Sequence, residues 1–192
     1  MIGEIKYRDL DGDGSITADG DRTIIGDTNP DFTYGITNNF SWKNFSLSFM
    51  FQGTQGNDIF NGNLVDVKMG NIGNIPVFAY ESRWTADNYE TAKWPKATAG
   101  YTRDWKLSNR YVEDGSYLKL KNLTFGYDWR KPVSGVENIK ITFTATNLFT
   151  ISNYSWLDPD VNSFGSDASR RGVDIYSYPS ARTFALGLNF TF

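Results

Sequence analysis

Asp9-Leu10-Asp11-Gly12-Asp13-Gly14-Ser15-Ile16-Thr17 sets three carboxylates at alternate positions and a glycine at the sixth. That spacing suits a loop wrapping hard oxygen ligands around calcium. In this reading Asp9, Asp11 and Asp13 supply side-chain oxygens, Ser15 supplies a backbone carbonyl, and Ile16 packs inward. The twelfth position, where a carboxylate belongs, is Gly20; Asp19 and Asp21 flank it, so a ligand there needs a one-residue shift. No helical pattern flanks the loop, which separates it from a complete EF-hand. The same residues also suit an Asp/Gly-rich turn leading into a strand that starts near Asp31, and both readings stand at this point.

Little else in the sequence could do bond-making chemistry. There is no cysteine and no histidine, which removes disulfides, thiol nucleophiles, imidazole acid/base chemistry and thiolate or imidazole zinc sites. Nothing marks two of the 22 acids as a glycosidase pair, and no glycine-rich phosphate cradle precedes a helix pattern. A net charge of -3 without a basic stripe argues against nucleic acid. No catalytic residue is expected, and no cofactor beyond the calcium the acidic loop would take. Residues 54–115 hold aromatics beside amides, at Asn57-Asp58, Trp84, Trp94-Pro95, Trp105 and Asn109-Arg110-Tyr111; these could grip sugars or pack the loop on its neighbours. Asp158-Pro159-Asp160-Val161-Asn162 and Arg170-Arg171-Gly172-Val173-Asp174 read as turns with solvated charge.

The elements that must position these loops are strands. Aromatic residues make up 16% of the chain, more than an ordinary core needs. Phe32, Tyr34, Ile36, Phe40 and Trp42 alternate with polar or small residues. After a tight turn at Lys43-Asn44, Phe45, Leu47, Phe49 and Phe51 do the same, predicting a hairpin. Leu123, Phe125, Tyr127 and Trp129 form an apolar face, which Lys119 and Lys121 extend toward water, opposed by Asn122, Thr124, Gly126 and Asp128. Ile139, Ile141, Phe143, Ala145, Phe149 and Ile151 form a fourth strand. Phe184, Leu186, Leu188, Phe190 and Phe192 form a fifth at the C-terminus.

Connections alternate in length: short at 43–44, long over 54–115, short from Arg130 to Asn138, long over 152–181. No apolar run approaches the roughly 20 residues of a membrane helix, but a barrel strand needs only about 9 to 11. Ser, Thr, Asn and Gly opposite a ring-rich face suit a hydrated lumen opposite lipid. The expected fold is all-β, an antiparallel up-and-down segment of a transmembrane barrel, with brief turns at the periplasmic rim and long loops outside. The segments are 1–30 (outer acidic loop), 31–53 (hairpin), 54–115 (outer loop), 116–151 (hairpin), 152–181 (outer loop) and 182–192 (terminal strand). A soluble antiparallel sandwich that binds glycans through calcium and aromatic loops would show similar alternation.

Several motifs carry a family resemblance. Tyr7-Arg8-Asp9-Leu10-Asp11-Gly12-Asp13-Gly14, Asp21 to Asp27, and Asn29-Pro30-Asp31-Phe32-Thr33-Tyr34-Gly35 resemble the C-terminal region of SusC/RagA-type TonB-linked outer-membrane proteins. So do Phe51-Gln52-Gly53 with Gly56-Asn57-Asp58-Ile59, Arg110 to Leu118, Asn147-Leu148-Phe149-Thr150, and Tyr178-Pro179 before Arg182-Thr183-Phe184, all in the same order. The resemblance implies glycan or peptide import across the outer membrane, a barrel of about 22 strands around a plug, a SusD-like lipoprotein as lid, and energy from the TonB complex, whose contact would lie outside this chain. It further implies that Phe184, Leu186, Leu188, Phe190 and Phe192 are the barrel-assembly signal. With about five strands and no plug, the chain is expected to be a fragment that cannot transport alone.

Overall fold

The computed structural model describes residues 2–65, 67, 74–98, 106–160, 163–165 and 167–192. Its elements are β1 (Phe32–Trp42), β2 (Phe45–Gln55), β3 (Asp58–Asn61), α1 (Gly62–Val65), α2 (Val77–Glu81), β4 (Val112–Asp114), β5 (Tyr117–Val133), β6 (Val136–Ser152), β7 (Val173–Asp174) and β8 (Thr183–Thr191). No helix among the described residues is long and apolar enough to cross a membrane.

Five strands form one antiparallel sheet in the order β1-β2-β5-β6-β8, so each long strand pairs with the long strand that follows it in the chain. Register brings apolar positions opposite one another: Phe40↔Leu47 and Trp42↔Phe45, then Phe49↔Leu123 and Phe45↔Tyr127, then Phe125↔Phe143, then Phe143↔Leu186 and Ile141↔Leu188. Side chains two apart share a face, so this register gathers the rings on one side. Ring pairs connect the strands: Phe40–Phe49 at 6.0 Å, Phe45–Phe125 at 5.9 Å, Phe51–Phe149 at 6.2 Å and Phe143–Phe184 at 6.2 Å. The face is nonetheless uncovered, with Phe40 56% and Leu186 71% exposed. A sandwich would bury it under a second sheet, so the soluble alternative is not favoured.

The turns follow from local backbone. Lys43 adopts a left-handed φ of 54°, and the Asp128 amide donates to the Asn44 carbonyl at 2.9 Å, tying the first turn to β5. The second connection is shorter than the expected 130–138. β5 and β6 run on to Val133 and Val136 and close through Ser134-Gly135, with Gly135 at φ 88°. The break in alternation after Arg130 is absorbed inside the ladder by a left-handed Lys131 and an irregular register between Arg130 and Val133.

A second irregularity, at Lys121 between Leu120 and Asn122, changes the phase of β5. It sets Lys119 opposite Gln52 and Thr150, and the lysine is 1% exposed rather than turned to water; Lys121 is half-buried. The expected long loops are also not featureless. A small sheet of order β4-β3-β7 joins segments from both, with Ile59↔Glu113 in register and the Phe60 amide donating to the Gly172 carbonyl at 2.8 Å.

The chain divides into two compact units, one of residues up to Gly26 with Asn61–Tyr111, the other of Asp27–Phe60 with Val112–Phe192. The first has a small core of Val67, Ala79 and Trp94, with Leu64 and Ile75 against it. The second contains the five-stranded sheet, with Tyr117, Leu120, Ala145 and Tyr154 buried.

Candidate functional site

The acidic loop closes through its own amides. Gly12 and Gly14 take left-handed φ values of 79° and 86°, which lets the chain double back around Asp9. Asp9 Oδ1 accepts from the Gly12 amide at 2.6 Å and Oδ2 from Gly14 at 2.8 Å. Those two amides outweigh the weaker opposing effect of burial and hold the Asp9 carboxyl below its ordinary range. Asp21 reaches back to accept from the Leu10 amide at 2.6 Å and the Thr17 amide at 2.7 Å.

One carboxylate oxygen each from Asp9, Asp11 and Asp21 therefore lies within 4.8 Å of the others. The thirteenth residue takes the place expected of the twelfth. Gly20 makes the shift possible, because a Cβ there would stand 2.0 Å from Asp11 Oδ2. Asp13, Ser15 and Asp19 fall outside this triplet, and Asp13 Oδ1 instead accepts from the Ser15 amide at 2.7 Å. Three converging carboxylates form a hard-oxygen set that fits calcium. The same bonds also satisfy the loop amides as a turn.

In the aromatic loop, Trp94 is 8% exposed and packs beside Phe78, ring centroids 6.0 Å apart, under the Arg110 guanidinium at 4.4 Å. For this residue packing is the observed role. Trp105 lies outside the described residues. A cleft of about 1410 Å³ opens in the first unit, bordered by the acidic loop and by segments holding Trp84, Tyr89 and Arg110. Burial lowers the Arg110 pKa, against smaller opposing effects of Tyr111 and Tyr7.

Of the residues expected to be solvated turn charges, Arg170 and Arg171 are exposed, whereas Asp158 and Asp174 are buried. Lys119 Nζ donates to Asp158 Oδ1 at 2.9 Å and to Asp160 Oδ2 at 3.2 Å. Burial works to raise the Asp158 carboxyl, but Lys119 and the Asp160 and Ser180 amides outweigh it and hold the carboxyl below its ordinary value. Asp174, 1% exposed, accepts from the Tyr154 hydroxyl at 2.6 Å, and burial first, then Asp174, pushes that hydroxyl far up. Val161 and Asn162 lie outside the described residues. The signal for this network was Lys119 itself, a charge near one end of a strand face that carries mostly neutral polar groups.

Comparison with protein-family models matches none. The chain is 36% identical over its whole length to TonB-dependent receptor P26 of Formosa agariphila, of which it covers 20%. It is 36% identical over 97% of its length to TonB-dependent receptor P3 of the same organism, of which it covers 19%, and 27% identical over 98% to TonB-dependent receptor SusC of Bacteroides thetaiotaomicron, of which it covers 18%. Among solved structures, the RagAB peptide importer in its open-open state superposes with a TM-score of 0.72 at 25% identity, over 93% of this chain and 19% of that one. A further RagAB peptide transporter structure, at 22% identity and a TM-score of 0.74 over 96% of this chain and 20% of that one, shares the fold. These names are of receptors and importers, not enzymes. The chain spans about a fifth of the relatives it matches, and over its full length it belongs to the SusC/RagA-type TonB-dependent receptors.

Proposed function

We propose that this chain forms five neighbouring strands of an outer-membrane barrel of about 22 strands in a TonB-energised importer of glycans or peptides, working with a SusD-like lipoprotein. The observation that supports it best is the uncovered stripe of rings and aliphatic side chains that runs in register across all five strands. Water would not tolerate so broad an apolar face on a sheet, whereas lipid requires one. In this reading the turns at Lys43-Asn44 and Ser134-Gly135 sit with Phe192 at the periplasmic rim, Phe184 to Phe192 serve as the assembly signal, and the polar face lines the lumen. The backbone groups along the outer edges of β1 and β8 pair with further strands of the wall, since lipid leaves none unpaired.

The test is insertion. In the complete receptor that carries these strands, refolded into lipid vesicles, the strands should be protease-protected, and Leu188→Arg on the lipid face should cost about 2–4 kcal/mol of folding stability while lumen-facing Asn189→Arg costs far less. A water-soluble monomer with a cooperative melt that Leu188→Arg leaves unchanged would sink the reading.

For the acidic loop we infer the calcium reading of the sequence, with Asp9, Asp11 and Asp21 as its carboxylates. What supports it is the return of Asp21 to the two earlier carboxylates across eleven residues of loop.

A further inference from the structure

The cleft of about 1410 Å³ lies within the unit of residues up to Gly26 and Asn61–Tyr111. Six basic residues line it, Lys6, Arg8, Arg22, Lys93, Lys106 and Arg110, against two acidic ones, Glu4 and Asp21. Both acids are engaged: Glu4 lies 3.9 Å from Lys96, and Asp21 accepts from the Leu10 and Thr17 amides. None of the ion pairs between described residues involves Lys6, Arg8, Arg22, Lys93 or Arg110. In a chain with a net charge of -3, the lining of this cleft holds an excess of cations over acids. Like charges collected in a cleft focus a positive field that draws an anion in.

Arg110 is the most constrained of them. Its guanidinium lies over Trp94 at 4.4 Å, and one terminal nitrogen donates to the Lys93 carbonyl at 2.5 Å. Its Nε is buried and has no hydrogen-bond partner among the described residues. A donor buried without an acceptor is destabilising, a penalty that a ligand oxygen would relieve.

Two rings share the lining, Trp84, half-buried, and Tyr89, 65% exposed. The described walls are loops, a 3-10 turn at Asn109–Tyr111 and an isolated bridge between Arg83 and Trp94. They hold no strand edge onto which an extended peptide could add. Flat ring faces beside forked cations suit sugars that carry carboxylate or sulfate groups.

We propose that this cleft binds an anionic oligosaccharide, pairing its carboxylates or sulfates with Arg8, Arg22, Lys93 and Arg110 while its sugar faces lie on Tyr89 and Trp84. The assignment deepens the import reading above by naming the class of cargo that this surface takes.

Binding is measured by calorimetry on the full chain refolded in detergent, with tetragalacturonate, a sulfated carrageenan tetrasaccharide, neutral maltotetraose and an acidic tetra-aspartate peptide as probes. The charged saccharides should bind at least about tenfold more tightly than maltotetraose and weaken as salt is raised. The two charged probes separate carboxylate from sulfate recognition. The exposed pair Arg8→Gln/Arg22→Gln, which touches no buried contact, should weaken binding about tenfold, and Arg110→Gln should do the same with the circular dichroism spectrum unchanged. Equal affinity for maltotetraose, binding of the peptide alone, or indifference to Arg8→Gln/Arg22→Gln overturns the proposal. Insertion into lipid without saccharide binding overturns this inference and leaves the barrel reading intact; saccharide binding by a lipid-free, water-soluble monomer does the reverse.

Discussion

Lys119 Nζ lies 2.9 Å from Asp158 Oδ1, with the two side chains 1% and 9% exposed. The lysine belongs to β5, on the face of mostly neutral polar groups, and the aspartate to the segment between β6 and β8. Asp160, 3.2 Å away, and the Ser180 amide, 3.1 Å from Asp158 Oδ2, complete the site. A buried ion pair gains little over an apolar substitute, but breaking one partner strands the other charge.

Removing one partner should therefore be costly. Lys119→Ala or Asp158→Ala is expected to lower folding stability by about 3 kcal/mol, and the double substitution by less than the sum of the two. Denaturant midpoints of the detergent-refolded chain measure this; strict additivity would show that the pair is not coupled.

The same pair sets an acid limit. The Asp158 carboxyl is depressed in the folded chain relative to the ordinary 3.8, so its contribution is fully present above that value and is lost as pH falls through the lower folded pKa. Melting followed from neutral pH down to strongly acidic buffer should show destabilisation beginning below pH 3.8. Lys119→Met/Asp158→Leu should flatten that part of the curve.

Gly53 in β2 leaves no room for a side chain between Tyr34 and β5. A Cβ there would meet the Tyr117 carbonyl at 2.2 Å and the Tyr34 hydroxyl at 2.5 Å. Tyr34, paired with Gly53 across β1 and β2, lays its ring over that gap and donates to the Tyr117 carbonyl at 3.1 Å. Gly53→Ala should cost about 1–3 kcal/mol by forcing the strands apart, whereas Gly35→Ala, whose added carbon meets nothing closer than 3.9 Å, should cost far less. Equal midpoints for the two variants would refute the packing argument.

The calcium reading separates the aspartates of the acidic loop. Terbium luminescence on the refolded chain should report a site that calcium displaces. Asp9→Asn and Asp21→Asn should each weaken it by about tenfold, while Asp19→Asn, outside the triplet, leaves it unchanged. If Asp19→Asn rather than Asp21→Asn abolished the signal, the one-residue shift would be wrong.

The sheet was legible because a two-residue period is written directly into side-chain type: Phe45 to Phe51 and Phe184 to Phe190 alternate without interruption. What the period could not reveal were its slips. Lys119 and Lys121 read as one outward row, but the irregular ladder at Lys121 breaks that row, and only distant Asp158 explains why Lys119 goes inside. The extension of β5 through Lys131 was hidden because a left-handed residue interrupts alternation without ending the hydrogen-bonded ladder. In the acidic loop the ligand spacing was visible but the choice between Asp19 and Asp21 was not, since it rests on the close approach of Gly20 to Asp11. The cationic cleft was hidden for a related reason, because Arg8 and Arg110 are about a hundred residues apart in sequence and nothing local links them.

The small sheet of β3, β4 and β7 has a consequence for how such a receptor can change over time. It ties the excursion after β2 to the one after β6, through the Phe60 amide on Gly172 and through Glu113, which accepts from the Ser155 amide at 2.7 Å and its hydroxyl at 2.8 Å. Insertions and substitutions can accumulate between these anchor points without disturbing the strands beneath, whereas a change at an anchor is felt in both excursions at once. Diversification of the two excursions is thereby channelled into the segments between anchors, and the five-stranded sheet can stay the same while they change.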